Sequence, residues 1–292
     1  MANVTTSAET NVITTSQLSR VREVDFVERF SGSSLAKLVQ ALGVTRKIPM
    51  MEGTTLYVYK TTGTLENGAV TEGEIIPLSR YTRTRTPVGD ITLKKWRKAT
   101  TAEAIKKSGF QEAVSETDQK LLRDVQASIR SDFFSFLTGL DASVVGGETL
   151  QAVLAKLWGS LQVLFENDSV ETVYFIHPLT VADYLATATV TLQTAFGMNY
   201  IENFLGLGTV ILHSSIPQGQ VYATAKENIL LYYLAMNGDV AAAFGLTTDD
   251  TGYIGMHAAQ NDQRAQVETL VMSGIQFLVE QADGVVVGQI QA

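Results

Sequence analysis

The sequence contains no cysteine, only five prolines among its 292 residues, and only three histidines. The absence of cysteine excludes disulfides, thiolate nucleophiles and cysteine-ligated zinc or iron–sulfur centres. The scarcity of proline excludes a long proline-rich linker. Long apolar runs are also missing, because the longest, NILLYYLAM at 228–236, is far shorter than the ~20 residues that a membrane span requires. Residues 1–20 have no apolar stretch of signal-peptide length, so we expect a soluble, intracellular protein.

Residues that carry chemistry are equally scarce. None of His177, His213 and His257 has a second His, Asp or Glu at the short spacing of common metal sites, so a structural role explains them best. Asp249 and Asp250 have no base or metal ligand beside them and read as an acidic turn. No Walker loop, dinucleotide glycine fingerprint or nucleophile elbow occurs. We therefore predict no catalytic residue, no metal, no cofactor and no enzymatic activity.

Charge is distributed unevenly along the chain. The formal net charge is −8, yet residues 1–110 contain 16 Lys and Arg against 10 Asp and Glu, whereas residues 111–292 contain 6 against 20. Seven of the 22 Lys and Arg lie in RYTRTRTPVGDITLKKWRK, at 80–98. Such a basic segment could bind nucleic-acid phosphates, or it could dock on the acidic part of the same or a neighbouring chain. Solvated surface charge is the third reading, since an exposed ion pair contributes only ~0–1 kcal/mol.

The basic segment overlaps a predicted hairpin. Two β-rich runs, TTLYVYK at 54–60 and ITLKKW at 91–96, flank residues 61–90, which are rich in Thr and Gly and poor in large apolar side chains. We predict that 61–90 runs out and back, which spans ~50 Å at ~3.3 Å per residue. A two-stranded hairpin of that length is marginal by itself because it has no core. It therefore needs another surface to lie on.

Hydrophobic periodicity predicts a mixed α+β chain. Residues 1–19, rich in Thr and Ser, have no period and are predicted to be an extended arm. The strongest helix is predicted at 116–140, where one apolar stripe recurs at 3-4-4-3 spacing: Leu122, Val125, Ile129, Phe133 and Phe136. Further helices are predicted at 149–165 and 180–185. Strands are predicted at 173–176, 208–215, 220–225, 228–235 and, several of them, within 252–290.

The order of these segments is informative. A polar arm precedes GAVTEGEIIPLSRY (68–81), ITLKKWRKATTAEAIKKSG (91–109), LLRDVQASIRSDFFSFL (121–137), VYFIHPLTVADYL (173–185), IPQGQVYATAKENILLYYL (216–234) and MSGIQFLVEQADGVVVGQI (272–290). This order resembles that of the major capsid proteins of tailed bacteriophages, which have the Hong Kong 97 (HK97-like) fold. The resemblance covers nearly the whole chain and depends on order and spacing.

The resemblance implies an assignment for each part of the chain. It gives an N-terminal arm at 1–48, an extended β-hairpin (E-loop) at 49–100, a P-domain with a long spine helix at 101–146, a mixed α/β A-domain at 147–244 and P-domain return strands at 245–292. In that family the E-loop lies over a neighbouring subunit. The basic hairpin would then lie across the acidic body of the next copy, and repetition of this head-to-tail contact closes rings.

The resemblance also implies partners. The protein would form the hexamers and pentamers of an icosahedral phage head, a virion capsid assembled in the bacterial cytoplasm around double-stranded DNA held by non-specific contacts. A portal at one vertex and a separate scaffolding protein would be further partners, the latter because Met1 opens directly into the arm; no membrane is implied. Ile75, Ile76, Leu78 and Trp96 would add apolar contacts. We expect the contacts between subunits to involve Arg80, Arg83, Arg85, Lys94, Lys95, Trp96, Arg97, Asp118, Asp124, Asp262 and Arg264.

Two other functions remain open at this point. An encapsulin-like cellular shell shares the fold and would package enzymes instead of DNA. A nucleic-acid-binding protein would use the basic hairpin, on which Tyr57, Tyr59, Tyr81 and Trp96 could stack single-stranded bases. Against the latter, Arg83 and Arg85 alternate with threonine, as in an outward-facing polar strand, and the rest of the chain is strongly acidic.

Overall fold

The computed structural model describes residues 15–30, 38–39, 42–44, 46–165, 170–187, 192–195, 198–248 and 250–291. The chain divides into two compact units, each built from separate stretches. The first unit comprises Met1–Ser33, Leu93–Asp124 and Ala235–Ser273; the second comprises Ser34–Thr92, Val125–Leu234 and Gly274–Ala292. In the described ranges, every helix is too short or too polar to cross a membrane.

Helices and strands are interspersed along the chain, as the sequence predicts. The helices are α1 (Thr15–Glu28), α2 (Ala102–Phe110), α3 (Thr117–Thr138), α4 (Leu150–Leu164), α5 (Pro178–Thr187) and α6 (Asp239–Phe244). The strands are β1 (Arg46–Met50), β2 (Thr55–Thr64), β3 (Arg80–Asp90), β4 (Lys94–Thr101), β5 (Ser143–Gly147), β6 (Thr172–Ile176), β7 (Gln193–Ala195), β8 (Met198–Phe204), β9 (Gly208–Leu212), β10 (Gln220–Ala225), β11 (Ile229–Leu234), β12 (Thr247–Thr248), β13 (Ile254–Asn261), β14 (Gln266–Ser273), β15 (Ile275–Val279) and β16 (Val285–Ile290). A π-helical segment, Gln111–Glu116, joins α2 to α3.

The long helix α3 confirms the strongest helix prediction and shifts its apolar face by one residue. Leu122, Val125, Ile129 and Phe133 are buried as the spacing predicts. Toward the end of the helix Phe134 and Leu137 are buried instead of Phe136, which is only partly covered. The 3.6-residue helical period places Leu137 directly above Phe133, so a stripe read as 3-4-4-3 drifts off the buried side in its last turn.

The first unit is built on a four-stranded antiparallel sheet in the order β12-β13-β14-β4. The β13–β14 pair extends from Ile254 opposite Ser273 to Asn261 opposite Gln266. A one-turn 3-10 helix, Asp262–Arg264, connects these two strands, and Ala265 follows it in the left-handed conformation. The polar sequence QNDQ at 260–263 is typical of such a turn.

The second unit contains a seven-stranded mixed sheet in the order β5-β16-β10-β6-β9-β8-β7. Helix α4 begins after Thr149, whose hydroxyl accepts a hydrogen bond from the Ala152 N–H over 3.2 Å, as an N-cap residue should. The helix buries one face in the hydrophobic core of this sheet through Val153, Leu154, Leu157 and Leu161. Its sequence spacing of three and four residues therefore matches the side that is removed from water.

A three-stranded sheet, β1-β11-β15, lies in the same unit beside an aromatic cluster. Strand β1 runs parallel to β11, and β15 runs antiparallel to it. Phe133 contacts Phe134, Phe175 and Phe277 with ring centroids 5.3–6.0 Å apart. Tilted and edge-on rings at these separations are the favoured aromatic geometry.

The hairpin lies where we predicted it, but only one of the two predicted flanks belongs to it. Its outgoing strand β2 begins in the first predicted flank, and its return strand β3 lies within 61–90, the segment predicted to run out and back. The second predicted flank became β4, which pairs with β14 in the sheet of the first unit. The alternation at 91–96 was a valid strand signal, but it carried no information about which strand would be the partner.

Two further predictions differ from the structure. Helix α1 includes residues 15–19, which we predicted to belong to an extended arm; residues 1–14 lie outside the described part of the chain. The strands of 245–292 do not share one sheet, because β12, β13 and β14 lie in the first unit whereas β15 and β16 lie in sheets of the second. In particular, β16 pairs with β5 and β10 inside the seven-stranded sheet.

Substitutions of two glycines test this packing. A Cβ at Gly288 on β16 would lie 2.3 Å from Val153 Cγ1, so Gly288→Val should lower the free energy of unfolding by about 1–3 kcal/mol or more. A Cβ at Gly159 on α4 meets nothing within 4 Å, so Gly159→Ala should raise the free energy of unfolding by about 0.5–1 kcal/mol. Urea denaturation measures both. Equal effects of the two substitutions would contradict the placement of β16 under α4.

Candidate functional site

Strands β2 and β3 form a ribbon that is buried at one end and exposed at the other. Their register runs from Thr55 opposite Asp90 to Thr64 opposite Arg80. Near the base, Leu56 and Val58 are buried, whereas every residue from Lys60 to the end of β2 is exposed. At ~3.3 Å per residue, a strand of this length spans roughly 30 Å. The distal half of the ribbon therefore receives no support from a core of its own.

One face of the ribbon has a ladder of arginine and tyrosine side chains. The Arg85 guanidinium lies 4.6 Å from the centre of the Tyr57 ring, and that of Arg83 lies 4.0 Å from the centre of the Tyr59 ring. Further along, Tyr81 covers Gly63 so closely that a Cβ on Gly63 would lie 2.0 Å from the Tyr81 ring. Cation–π contacts at exposed sites contribute ~0.5–1 kcal/mol each. They stiffen a ribbon that lacks a core.

Glu280, in the loop after β15, anchors this ladder to the second unit. The Tyr59 N–H donates to the Glu280 carbonyl oxygen over 2.8 Å, which attaches the backbone of β2. The Glu280 carboxylate accepts a hydrogen bond from Arg46 and lies 3.7 Å from the Arg83 guanidinium. Arg83 thus has a tyrosine and a carboxylate of its own chain as partners.

The connection between the two strands, residues 65–79, forms a tip that its own chain leaves uncovered. Four large apolar side chains there are 72–95% exposed: Leu65, Ile75, Ile76 and Leu78. Internal bonds order the tip locally, because the Glu66 N–H donates to Ser79 Oγ and the Glu74 N–H to the Thr71 carbonyl oxygen. Clusters of exposed apolar side chains of this kind mark contact surfaces.

Four of the predicted contact residues lie on β4 and so belong to the first unit instead of the hairpin. Lys95 and Arg97 point to one side of the strand and are exposed, and Lys94 and Trp96 on the other side are partly covered. Arg97 donates to Glu268 over 2.5 Å, and this bond, with those from Asn261 and Gln266, lowers the pKa of Glu268 to about 2. Edge strands rich in Lys and Arg are protected against unspecific pairing.

Asp118, another predicted contact residue, is buried at the start of α3 with only 4% of its surface exposed. Its carboxylate pairs with Arg22 over 3.1 Å and with Lys98 over 2.6 Å. Lys98 also donates to the Val114 carbonyl oxygen over 3.0 Å. Burial lowers the pKa of Lys98, an effect that its bond with Asp118 opposes. One anion between two cations joins α1, β4 and α3 within the first unit.

Helix α1 is held on the sheet of the first unit by a second buried carboxylate. Glu23, next to Arg22, accepts the Ala258 N–H over 2.6 Å and the Thr247 hydroxyl over 2.5 Å. It therefore occupies a position on β13 where a neighbouring strand would otherwise supply a carbonyl oxygen. His257 Nδ1 lies 3.9 Å from the same carboxylate.

The remaining predicted contact residues are exposed. Asp124 pairs with Lys120 one helical turn earlier. Asp262 and Arg264 lie in the 3-10 turn between β13 and β14. Arg80 begins β3 at the exposed end of the ribbon. These four residues are available at the surface, and their contacts with a second copy remain a prediction.

Each of the three histidines lies beside a backbone group of its own chain. His177 Nδ1 accepts the Leu179 N–H at the start of α5, and His213 Nδ1 accepts the Ser215 N–H. His257 Nδ1 is within 3.0 Å of the Gly245 carbonyl oxygen. Across the described ranges, no three His, Asp or Glu side chains are placed to hold a metal ion.

Sequence reasoning missed the residues that organise each unit: Arg22, Glu23 and Lys98 in the first, and Arg46 and Glu280 in the second. Arg46 and Glu280 are separated by 234 positions, and Glu23 and Ala258 by 235. Partners so far apart leave no local pattern. The only available signal was the basic character of the segment itself, which did not distinguish the partly buried Lys98, paired with Asp118, from exposed Lys95.

Comparisons with known proteins give structural likeness without sequence likeness. No protein-family model and no curated protein matches the chain. The capsid of a native GTA particle is similar with a TM-score of 0.54 at 10% identity, over 87% of this chain and 91% of that one. Gordonia phage Cozz gives 0.53 at 12% identity, over 87% and 86%. A virus-like particle from Pyrococcus furiosus gives 0.50 at 14% identity, over 92% and 96%.

These likenesses and the observed architecture establish the fold. A two-stranded ribbon, the long helix α3 and several sheets of an α+β chain are the features that the resemblance implied for the fold. The chain therefore has the HK97-like fold of capsid-shell proteins. At these identities the likeness establishes the fold alone, and function must be argued from the surfaces.

The buried anion of the first unit can be tested by truncation. Asp118→Ala would leave Arg22 and Lys98 as unpaired neighbouring cations, so we expect the free energy of unfolding to fall by about 3–5 kcal/mol. Asp124→Ala removes an exposed pair and should cost less than about 1 kcal/mol. Urea denaturation of both variants makes the comparison. Similar losses would show that the Asp118 cluster does not stabilise the unit.

His213 makes stability depend on pH. Burial, with Arg130 nearby, lowers the pKa of His213 to about 4, and its ring stacks on Phe134 at 4.1 Å. In the unfolded chain His213 has an ordinary histidine pKa of ~6.5 and binds a proton below that pH. In the folded chain it binds the proton only near pH 4. The free energy of unfolding should therefore decrease as the pH falls from about 6.5 to 4.

Denaturation across that pH range checks the effect. His213→Gln should flatten the decrease, whereas His177→Gln, the matched control in the same unit, should leave the contribution of His213 in place. An unchanged pH slope in His213→Gln would contradict the assignment.

Proposed function

We propose that the protein is a structural shell protein, the major capsid protein of a tailed-phage head that encloses double-stranded DNA. The observation that carries this proposal is a ribbon, on an HK97-like fold, whose apolar tip its own chain leaves 72–95% exposed. A monomeric protein gains nothing from such a projection, whereas a subunit that lies on its neighbour does. Hexamers and pentamers would follow from repetition of this head-to-tail contact around closed rings.

Weak contacts suit this function. Each exposed ion pair between copies contributes about 0–1 kcal/mol, so no single pair fixes a subunit. Summed over many copies, such contacts and the burial of the apolar tip would hold a shell, while misplaced subunits could still dissociate. A scaffolding protein during assembly, a portal at one vertex and non-specifically held DNA belong to this proposal as partners. The virion is the location it implies.

The interface proposal keeps only some of the predicted residues. Arg80, Lys95, Asp124, Asp262 and Arg264 are exposed and stay in it. Lys94, Trp96 and Arg97 on β4 also stay, although Arg97 already has Glu268 as a partner.

Three of the predicted contacts need a different reading. Asp118 is enclosed by partners of its own unit, so we leave it out of the interface. Arg83 and Arg85 are engaged by Tyr59 and Tyr57, so we assign them first to stiffening the ribbon.

A shell that is not a phage head is the second candidate. The observation that favours it is the likeness to the virus-like particle from Pyrococcus furiosus, which covers 96% of that chain. Binding of free nucleic acid by the ribbon is less favoured, because the two arginines best placed for it already have aromatic partners in the chain. The contents of purified particles separate these possibilities: nuclease-protected DNA supports a phage head, and packaged protein supports a cellular shell.

Removal of the tip tests the proposed function. Thr64 lies opposite Arg80, so residues 65–79 can be replaced by Asn-Gly, which closes a two-residue hairpin. We expect wild-type protein, expressed alone or with the products of its neighbouring genes, to form closed particles by negative-stain electron microscopy and sedimentation. The shortened protein should stay folded by circular dichroism but form none. Wild-type protein that stays monomeric under all these conditions would refute the proposal.

A further inference from the structure

The tip of the ribbon has the opposite charge from the segment that follows it. Residues 65–79 contain Glu66, Glu72 and Glu74 and neither Lys nor Arg, although this tip leads directly into the basic stretch at 80–98. All three glutamates are exposed. Within the described residues, no Lys, Arg or His side chain pairs with any of the three carboxylates. An acidic surface with exposed isoleucines fits a basic partner that has an apolar side chain of its own.

The first unit presents such a surface. Residues 94–110 contain six Lys and Arg and a single acidic residue, Glu103. Lys98 is occupied by Asp118 and Arg97 by Glu268, whereas Lys106 and Lys107 near the end of α2 are exposed. In the part of the chain that the structure describes, neither of these two ammonium groups has a carboxylate partner.

Helix α2 also has apolar surface to offer. It buries none of its residues, and Phe110 at its end is 50% exposed although the Arg22 guanidinium lies 5.9 Å from its ring. Apart from the half-buried Ile105, the residues of this helix are exposed and accessible to another surface. The two lysines do suit the negative end of the helix dipole. That explains their location but leaves the glutamates and isoleucines of the tip without a role.

We propose that the ribbon tip of one copy docks on helix α2 of a second copy, with Glu72 and Glu74 facing Lys106 and Lys107. Ile75 and Ile76 then cover Phe110. The partner is a second copy of this chain because the complementary charges and apolar groups occur in the same sequence at two separate exposed places. The inference rests on the proposed function and adds which charge each side of the contact carries. The ribbon tip is acidic, and helix α2 of the second copy is basic.

Charge reversal with rescue tests the pairing. Glu72→Lys with Glu74→Lys should lower the fraction of protein in particles by at least roughly tenfold, because like charges then face each other in every contact. Lys106→Glu with Lys107→Glu should do the same. The chain with all four changes restores opposite charges at each contact and should assemble to within roughly twofold of wild type. Sedimentation gives the fraction assembled, and circular dichroism confirms folding.

The control and the outcomes separate this inference from the proposed function. Glu148→Lys with Glu227→Lys changes two other exposed glutamates by the same net charge and should leave assembly unaffected. Wild-type protein without particles would overturn the proposed function. Normal wild-type assembly with no effect of either reversal, failure of the fourfold variant to recover, or equal loss in the control would each overturn the docking of the tip on α2. If the reversed body misfolds, Lys106→Gln with Lys107→Gln replaces it and should still weaken assembly.

Discussion

The bond between Glu280 and the ribbon is the constraint on which the rest of the molecule depends. A ribbon of two strands has no core, so its direction must be set where it leaves the second unit. Glu280 sets it twice, because its carbonyl oxygen accepts the Tyr59 N–H while its carboxylate faces Arg46 and Arg83. The stacked pairs of Arg83 on Tyr59 and Arg85 on Tyr57 then carry that direction outward. A tip held in this way would dock on a partner with little further loss of conformational entropy.

Charge in this protein has two separate uses, and the local surroundings of each group decide between them. Lys98 and Asp118 stabilise the interior of the first unit, because each neutralises the charge of the other where little water reaches them. Lys106, Lys107 and the glutamates of the tip remain in water and cost little to leave unpaired. The net charge of a long segment does not distinguish charges that are paired inside the protein from charges that are exposed to water. The net positive charge of residues 1–110 therefore predicted a contact through the basic stem of the ribbon. It gave no sign that the tip of the ribbon is acidic.

Much of the fold could be predicted from the sequence because its signals are local. Helix α4 and strands β6, β10 and β11 are buried runs with clear periods, and the HK97-like fold followed from their order. The pairing of β4 with β14 could not be predicted, since the alternation at 91–96 specifies a strand but not its neighbour. Only the location of the site could be predicted, because Ile75 and Ile76 are large apolar residues in an otherwise polar hairpin segment. The anchor at Glu280 could not be predicted, because its partner Arg46 is 234 positions away.

The position of β16 has a consequence for how the chain is made. This strand separates β5 from β10 in the seven-stranded sheet, so both of those strands keep an unfilled edge until Val285–Ile290 emerges. At roughly 5–20 residues per second, synthesis of the stretch between β5 and β16 takes on the order of 10 s. During that interval a nascent chain exposes edges that attract other strands. The ribbon is complete long before β16, so its exposed apolar tip and the open edges of β5 and β10 are present together on the nascent chain.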